Sequence, residues 1–171
     1  MIDKIQIYKT RKVKTPSRGT SRSAGMDFYI PDDLRKEELT IGGEYKIDPS
    51  TGFVSSIVIG AGEGVTVPSG IKVKIPSGYC MHFLNKSGIA SKKNLLLGAC
   101  LVDEDFQGEI LINVHNVSNT PTTIRAGEKL AQFIMYKVEY PIVEEVDSEK
   151  ELFSDGESER SSGGFGSTGL N

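Results

Sequence analysis

Five short stretches carry residue types that can do chemistry on a phosphate. "NKSGIAS" (85–91) gathers a cation, a hydroxyl and a glycine amide, Lys86, Ser87 and Gly88, where a short helix begins. Such a start is a natural seat for a phosphate. "GACLVDEDFQGEI" (98–110) carries the carboxylates Asp103, Glu104 and Asp105 between an apolar run and a glycine turn, with Phe106 beside them. A positioned carboxylate can take a proton from water. "SAGMDFY" (23–29) holds Asp27 just after a small-residue turn, and "GEKLAQF" (127–133) sets Gln132 inside an otherwise apolar strand. The final stretch, "RSSGGFGSTGLN" (160–171), joins Arg160, a cation that forks onto phosphate, to Phe165, a ring that can lie on a base. Singly, each has a plain structural use: Ser87 caps a helix, Gln132 satisfies a strand edge, Asp27 bonds a turn amide. The acidic triplet then makes a solvated turn, and the Gly/Ser tail a flexible end.

The elements that must position these residues are mostly strands. "KIQIYK" alternates Ile5 and Ile7 with polar neighbours, and "IKVKIP" alternates Ile71, Val73 and Ile75 with Lys72 and Lys74. "EILINVHNV" and "KLAQFIMYKV" have little polar relief, the pattern of strands buried on both faces. Turn chemistry separates them: "VPSG" at 67–70, "IPSG" at 75–78, "IGAGEG" at 59–64 and "RAGEK" at 125–129. Pro second and Gly fourth predicts a type I turn in the first two. Short strands with frequent turns indicate an antiparallel sandwich or jelly roll. The best helix candidate is "SGIASKK", with the Ser87 hydroxyl as its cap and Lys92 and Lys93 at its end. Residues 31–62 are mixed in pattern and read as an insertion or extra hairpin. The organisation expected is a domain at 1–146 followed by a mobile arm at 147–171.

Composition narrows the class. The 171 residues are enough for one domain burying roughly 70% of its unfolded surface. Lys+Arg 20 against Asp+Glu 23 gives a net charge of -3, so no stable nucleic-acid binding is expected. The charge is uneven: seven cations from Lys4 to Arg22, and eight carboxylates from Glu144 to Glu159. No apolar run has the length of a membrane span and residues 1–20 have no signal-peptide core, which points to the cytoplasm, or a host cell's cytoplasm for a viral chain. Cys80 and Cys100 read as reduced thiols, and isolated His82 and His115 give no metal cluster.

Together and in order, the five stretches resemble the motifs of the trimeric deoxyuridine triphosphatase (dUTPase) family, phage-type members included. They read "AGMDF" (24–28), "KSGIA" (86–90), "LVDEDFQGE" (101–109), "GEKLAQ" (127–132) and "RSSGGFGSTG" (160–169), so the resemblance spans most of the chain. It implies an all-β, antiparallel jelly roll forming a homotrimer, with each active site assembled from all three subunits. It implies hydrolysis of dUTP to dUMP and pyrophosphate by in-line water attack on the α-phosphate, which keeps uracil out of DNA and supplies dUMP for thymidylate synthesis. Asp103 is then the general base. Lys86, Ser87, Gly88 and Gln132 hold phosphate oxygens, and Mg²⁺ is held by the triphosphate and waters, Asp27 touching it through water only. The backbone from Gly98 through Leu101 to Val102 reads the uracil edge, and Phe106 packs under the deoxyribose. The tail is a lid in which Arg160 holds phosphate, Phe165 stacks on uracil, and Gly166, Ser167 and Thr168 line the substrate.

The sequence departs from the family at Lys86, where Arg is usual, at Phe106, where Tyr is usual, and at Ser161, where glycine is common. A bidentate fork becomes a point charge, and a phenol's hydrogen bond is lost. The alternatives are a dCTP deaminase-like enzyme on the same fold, or a binding module that grips a regulatory protein partner through 31–62.

Overall fold

A computed structural model describes residues 4–40, 44–156, 158 and 161–163. In chain order the strands are β1 (Gln6–Lys9), β2 (Ser17–Arg18), β3 (Met26–Tyr29), β4 (Glu44–Ile47), β5 (Val54–Ile59), β6 (Gly64–Pro68) and β7 (Ile71–Lys74). There follow β8 (Tyr79–Leu84), β9 (Leu95–Leu97), β10 (Leu101–Val102), β11 (Leu111–Asn116), β12 (Thr122–Arg125) and β13 (Lys129–Lys137). Among the described residues, helix is confined to a 3₁₀ turn at Lys36–Glu38, α1 (Ser87–Lys93) and α2 (Glu149–Leu152). Every named strand pair is antiparallel. The all-β antiparallel architecture is the one the strand and turn pattern calls for.

The chain divides into two units, Met1–Glu139 and Tyr140–Asn171. In the first, a five-stranded sheet runs β10-β8-β13-β3-β2, accompanied by three-stranded sheets β6-β11-β9 and β12-β5-β4 and the pair β1-β7. One face of the large sheet supplies Phe28, Phe83 and Phe133, all nearly fully buried. Their rings meet edge to face, Phe28 lying 5.1 Å from Phe83 and 5.4 Å from Phe133 between centroids. Such pairs add about 1 kcal/mol each beyond simple burial. Val67, Ile112 and Val114 from one small sheet and Ile57, Ile59 and Ile124 from the other complete this core. Buried Asn116 holds strand ends together: its Nδ2 donates to the carbonyls of Ile59, Gly60 and Thr120. In the second unit, the Ser148 hydroxyl caps α2 by accepting from the Glu151 amide at 3.2 Å.

Within 31–62, β4 and β5 form a hairpin, and β5 is also the centre of a sheet, paired to β12 on its other side. Leu34 is fully buried and its carbonyl accepts from the Val54 amide at 2.8 Å. The Arg11 guanidinium forks onto Glu38, with Asp33 at 3.6 Å, tying the basic N-terminal stretch to this segment. Three local expectations need correction. β11 is not buried on both faces: Ile112, Val114 and Asn116 point inward while Leu111 and His115 are exposed. The residue capping α1 is Lys86 rather than Ser87, and no side chain closes that cap, because Ser87 already has a helical place as the first residue. In "IPSG" the Tyr79 amide bonds the Pro76 carbonyl, so proline opens the turn and Gly78 takes its third position at φ +78°. Only glycine adopts that conformation freely.

Candidate active site

β13 lies between β3 and β8, and its register decides which motifs meet. Gln132 stands opposite Asp27 on one side and Leu84 on the other. β8 ends at Leu84, and the chain passes through Asn85 and Lys86 straight into α1. Three motifs distant in sequence thus come together at one end of the sheet. Gln132 donates from Nε2 to the Asn85 carbonyl at 2.9 Å. Its Oε1 lies over Gly25, where an added Cβ would stand 2.5 Å away, so the glycine of "SAGMD" makes room for the amide. The Asn85 Oδ1 accepts from the Leu97 amide at 2.8 Å and joins this loop to β9. At the far end of α1, Lys93 donates to Glu128 at 2.5 Å and to the Thr123 carbonyl at 2.8 Å. The exposed Ser87 and Gly88 begin the helix, and first-turn amides have no acceptor within their own helix.

Asp27 is 3% exposed, and both its oxygens are engaged by cations. The Lys86 ammonium donates to Oδ1, and the Lys129 ammonium lies 2.7 Å from Oδ2. Burial pushes the carboxyl up; the hydrogen bonds and charges of Lys129 and Lys86 outweigh it and hold Asp27 below the usual carboxylate range. Lys129 is raised in turn, through its hydrogen bond to Asp27. Lys129 sits within the quoted "GEKLAQ" stretch, yet its role needs the strand register to be seen.

The third motif leaves from the opposite edge of β8. Leu101 pairs with His82 and Val102 with Met81, which carries Asp103 toward Cys80. Asp103 and Asp105 are exposed, and the Asp103 carbonyl accepts from the Phe106 amide at 3.3 Å. The two glutamates have other work. Glu104 accepts from the Gly78 amide and, at 3.3 Å, from Ser77; Glu109 accepts from the Gly70 amide at 2.7 Å and from Thr10 at 3.2 Å. They pin the motif to two turns and leave the aspartates to solvent. A cleft of about 200 Å³ is lined by Ala99, Leu101, Val102, Asp103 and Phe106, with Phe83 beside them. The Phe106 ring rests on Gly108, where a Cβ would overlap its tip and stand 2.9 Å from Cε2.

Within one chain, the β10–β8 register sets Asp103 apart from the Asp27–Gln132–Asn85 cluster. Cys80, toward which Asp103 is carried, and Leu84, beside that cluster, are four steps apart on β8, about 13 Å at about 3.3 Å per residue. A general base works within hydrogen-bond reach, about 3 Å, of the water it activates. Arg160, Phe165, Gly166, Ser167 and Thr168 lie outside the described residues. Among the described residues, no group of three or more His, Cys, Asp or Glu could hold a metal, and no helix is long and apolar enough to cross a membrane.

The comparisons with known proteins agree with one another. The dUTPase family model matches residues 53–169. The deoxyuridine 5'-triphosphate nucleotidohydrolase of Tolumonas auensis is 31% identical over 150 residues, covering 84% of this chain and 93% of that protein. The mitochondrial enzyme of the same name from Homo sapiens is 31% identical over 91% of this chain; the chain spans 50% of its length. Among solved structures, the Staphylococcus bacteriophage 80alpha dUTPase with dUPNHPP superposes with a TM-score of 0.74 at 20% identity, covering 99% of this chain and 100% of that one. A dUTPase from phage phi11 of S. aureus, solved with a structural Mg(II) ion, gives a TM-score of 0.65 at 18% identity, over 86% of this chain and 99% of that one. Ordered motifs, antiparallel fold and family match together establish that this chain belongs to the dUTPase family.

Proposed function

We propose that the protein hydrolyses dUTP to dUMP and pyrophosphate, drawing the nucleotide from the cytoplasm. The observation that carries this reading is the register that lays Asp27, Gln132 and the Asn85–Ser87 loop side by side. Lys86, Gln132 and the amides of Ser87 and Gly88 hold the β and γ phosphates there. Asp103 takes the proton of the attacking water, and Phe106 with the backbone from Gly98 to Val102 forms the sugar and base pocket. The family match supports a homotrimer, and the register that sets Asp103 about 13 Å along β8 from the Asn85 end supports different subunits supplying the two halves. Arg160 and Phe165 close the site from the tail, with Gly166, Ser167 and Thr168 along the nucleotide.

Mg²⁺ fits this arrangement as an ion held by the substrate's own oxygens. Both Asp27 oxygens already accept from lysines, so direct coordination would displace one; their remaining lone pairs suit a metal-bound water. The ion, when bound, neutralises charge on the triphosphate. A protein partner at 31–62 has a surface to meet, a groove of about 520 Å³ lined by Arg35, Lys36, Ile47, Thr51 and Phe53.

The deciding experiment measures pyrophosphate and ammonia released from dUTP, dCTP, dTTP and UTP side by side. Pyrophosphate from dUTP alone is the expected result; ammonia from dCTP would replace this reading with a deaminase. Asp103→Asn should lower turnover by about 10²–10⁴-fold, since the amide cannot take a proton from water.

A further inference from the structure

β13 carries an irregularity beside this site. It pairs with β3 at Lys129 opposite Tyr29 and then at Ala131 opposite Phe28, so two steps on one strand face a single step on the other. In a regular strand Lys129 and Gln132, three apart, would point to opposite faces. The bulge puts both on the face of Asp27 and Tyr29, while Leu130 and Ala131 stay buried. Bulges beside active sites re-aim side chains in this way. As a result the nearly buried Asp27 has two ammonium partners, one on each oxygen. Lys129 also lies 5.8 Å from the centre of the Tyr29 ring, which Lys14 approaches at 5.3 Å.

We propose that Lys129 is a positioning residue for the nucleotide: it keeps the Asp27 carboxylate paired when Lys86 turns to the triphosphate. The proposal rests on the dUTPase reading above. The Lys86 ammonium has three N–H donors, and a phosphate oxygen that takes the best-aligned of them draws it away from Asp27. If it were Asp27's sole partner, turning away would leave a buried carboxylate unpaired, which is costly. With Lys129 in place, one ion pair persists and Lys86 is released. Lys129 is the more exposed of the two, at 44% against 22% for the Lys86 side chain, so it holds Asp27 from the solvent side.

The test is the affinity of the full chain for α,β-imido-dUTP, measured by titration calorimetry in Mg²⁺ and again in EDTA. Lys129→Gln should weaken binding roughly tenfold, and Lys129→Arg should restore it to within about threefold. In EDTA, where Asp27 has no metal-bound water to accept from, Asp27→Asn added to Lys129→Gln should recover most of the loss, because a neutral amide does not detain Lys86. A merely structural Lys129 would not be suppressed in this way. Thermal unfolding of each variant separates lost folding from lost affinity, with Lys129→Met as a second removal of the charge. Undiminished binding by Lys129→Gln, or a loss that Asp27→Asn leaves in place in EDTA, would overturn the assignment. A parent chain that binds no analogue would overturn the dUTPase reading and this proposal with it.

Discussion

Asp103 and Glu104 are neighbours in the chain with opposite duties in the fold. Glu104 is committed to Ser77 and Gly78, while Asp103 stands exposed at the rim of the cleft. Glu104→Gln should therefore lower stability by about 1–2 kcal/mol while keeping turnover within about threefold of the parent, read by thermal unfolding and pyrophosphate release. The contrast with Asp103→Asn and Asp105→Asn identifies which carboxylate is the base, only the Asp103 variant losing turnover. Phe106 offers a second test, because Gly108 is what lets its ring lie where it does. Gly108→Ala should lift the ring and narrow the preference for dUTP over UTP, measured as the ratio of kcat/KM values. At this scale the sequence was informative about residue type: the triplet, the small-residue turn and the lone Gln132 were all visible as candidates. It was silent on which acidic residue is free, since that depends on turns that lie 26 and 39 residues away.

Elements were legible wherever a pattern is local. Alternation marked β1 and β7, and glycine turns fell where the chain reverses at Gly78 and Gly127, with φ +78° and +75°; "VPSG" is no reversal, since Ser69 and Ile71 both bond Ile110. What local pattern could not supply was pairing. β11 is rich in apolar residues yet buries only one face, and the β13 bulge exists only relative to β3. Lys93 belongs to this class too: it looked like a dipole partner at a helix end and is instead a tie to the β12–β13 turn. Removing it with Lys93→Met should free the far end of α1. The expected cost is about 1–2 kcal/mol of stability, for a pair only partly screened from water. Because α1 carries Ser87 and Gly88, a rise in KM for dUTP should accompany the fall in melting temperature.

Within Met1–Glu139, ion pairs link segments far apart in sequence, such as Arg11 with Glu38 and Lys93 with Glu128. The hydrogen bond from Arg11 depresses the Glu38 carboxyl, as does the charge beside it, even against burial. A group whose folded value is lowered contributes fully above the ordinary carboxylate range of about 4.3 and loses that contribution as pH falls through the folded value. Stability should thus be level above about pH 5 and drop in acid, with Glu38→Gln lower than the parent at neutral pH and converging with it below about pH 4. Differential scanning calorimetry across that range checks the sign. Asp27 adds to the same trend, its depressed value again placing the loss on the acid side. The register that carries Asp103 away from the phosphate end has a further consequence, one of heredity. On the shared site proposed above, Asp103→Asn and Lys86→Met are each expected to be inactive and to damage opposite halves of it. Co-refolded in equal amounts, they should regain activity in roughly a quarter of their sites under random mixing. Neither would do so alone. A defect in one gene copy could then be masked by a different defect in another.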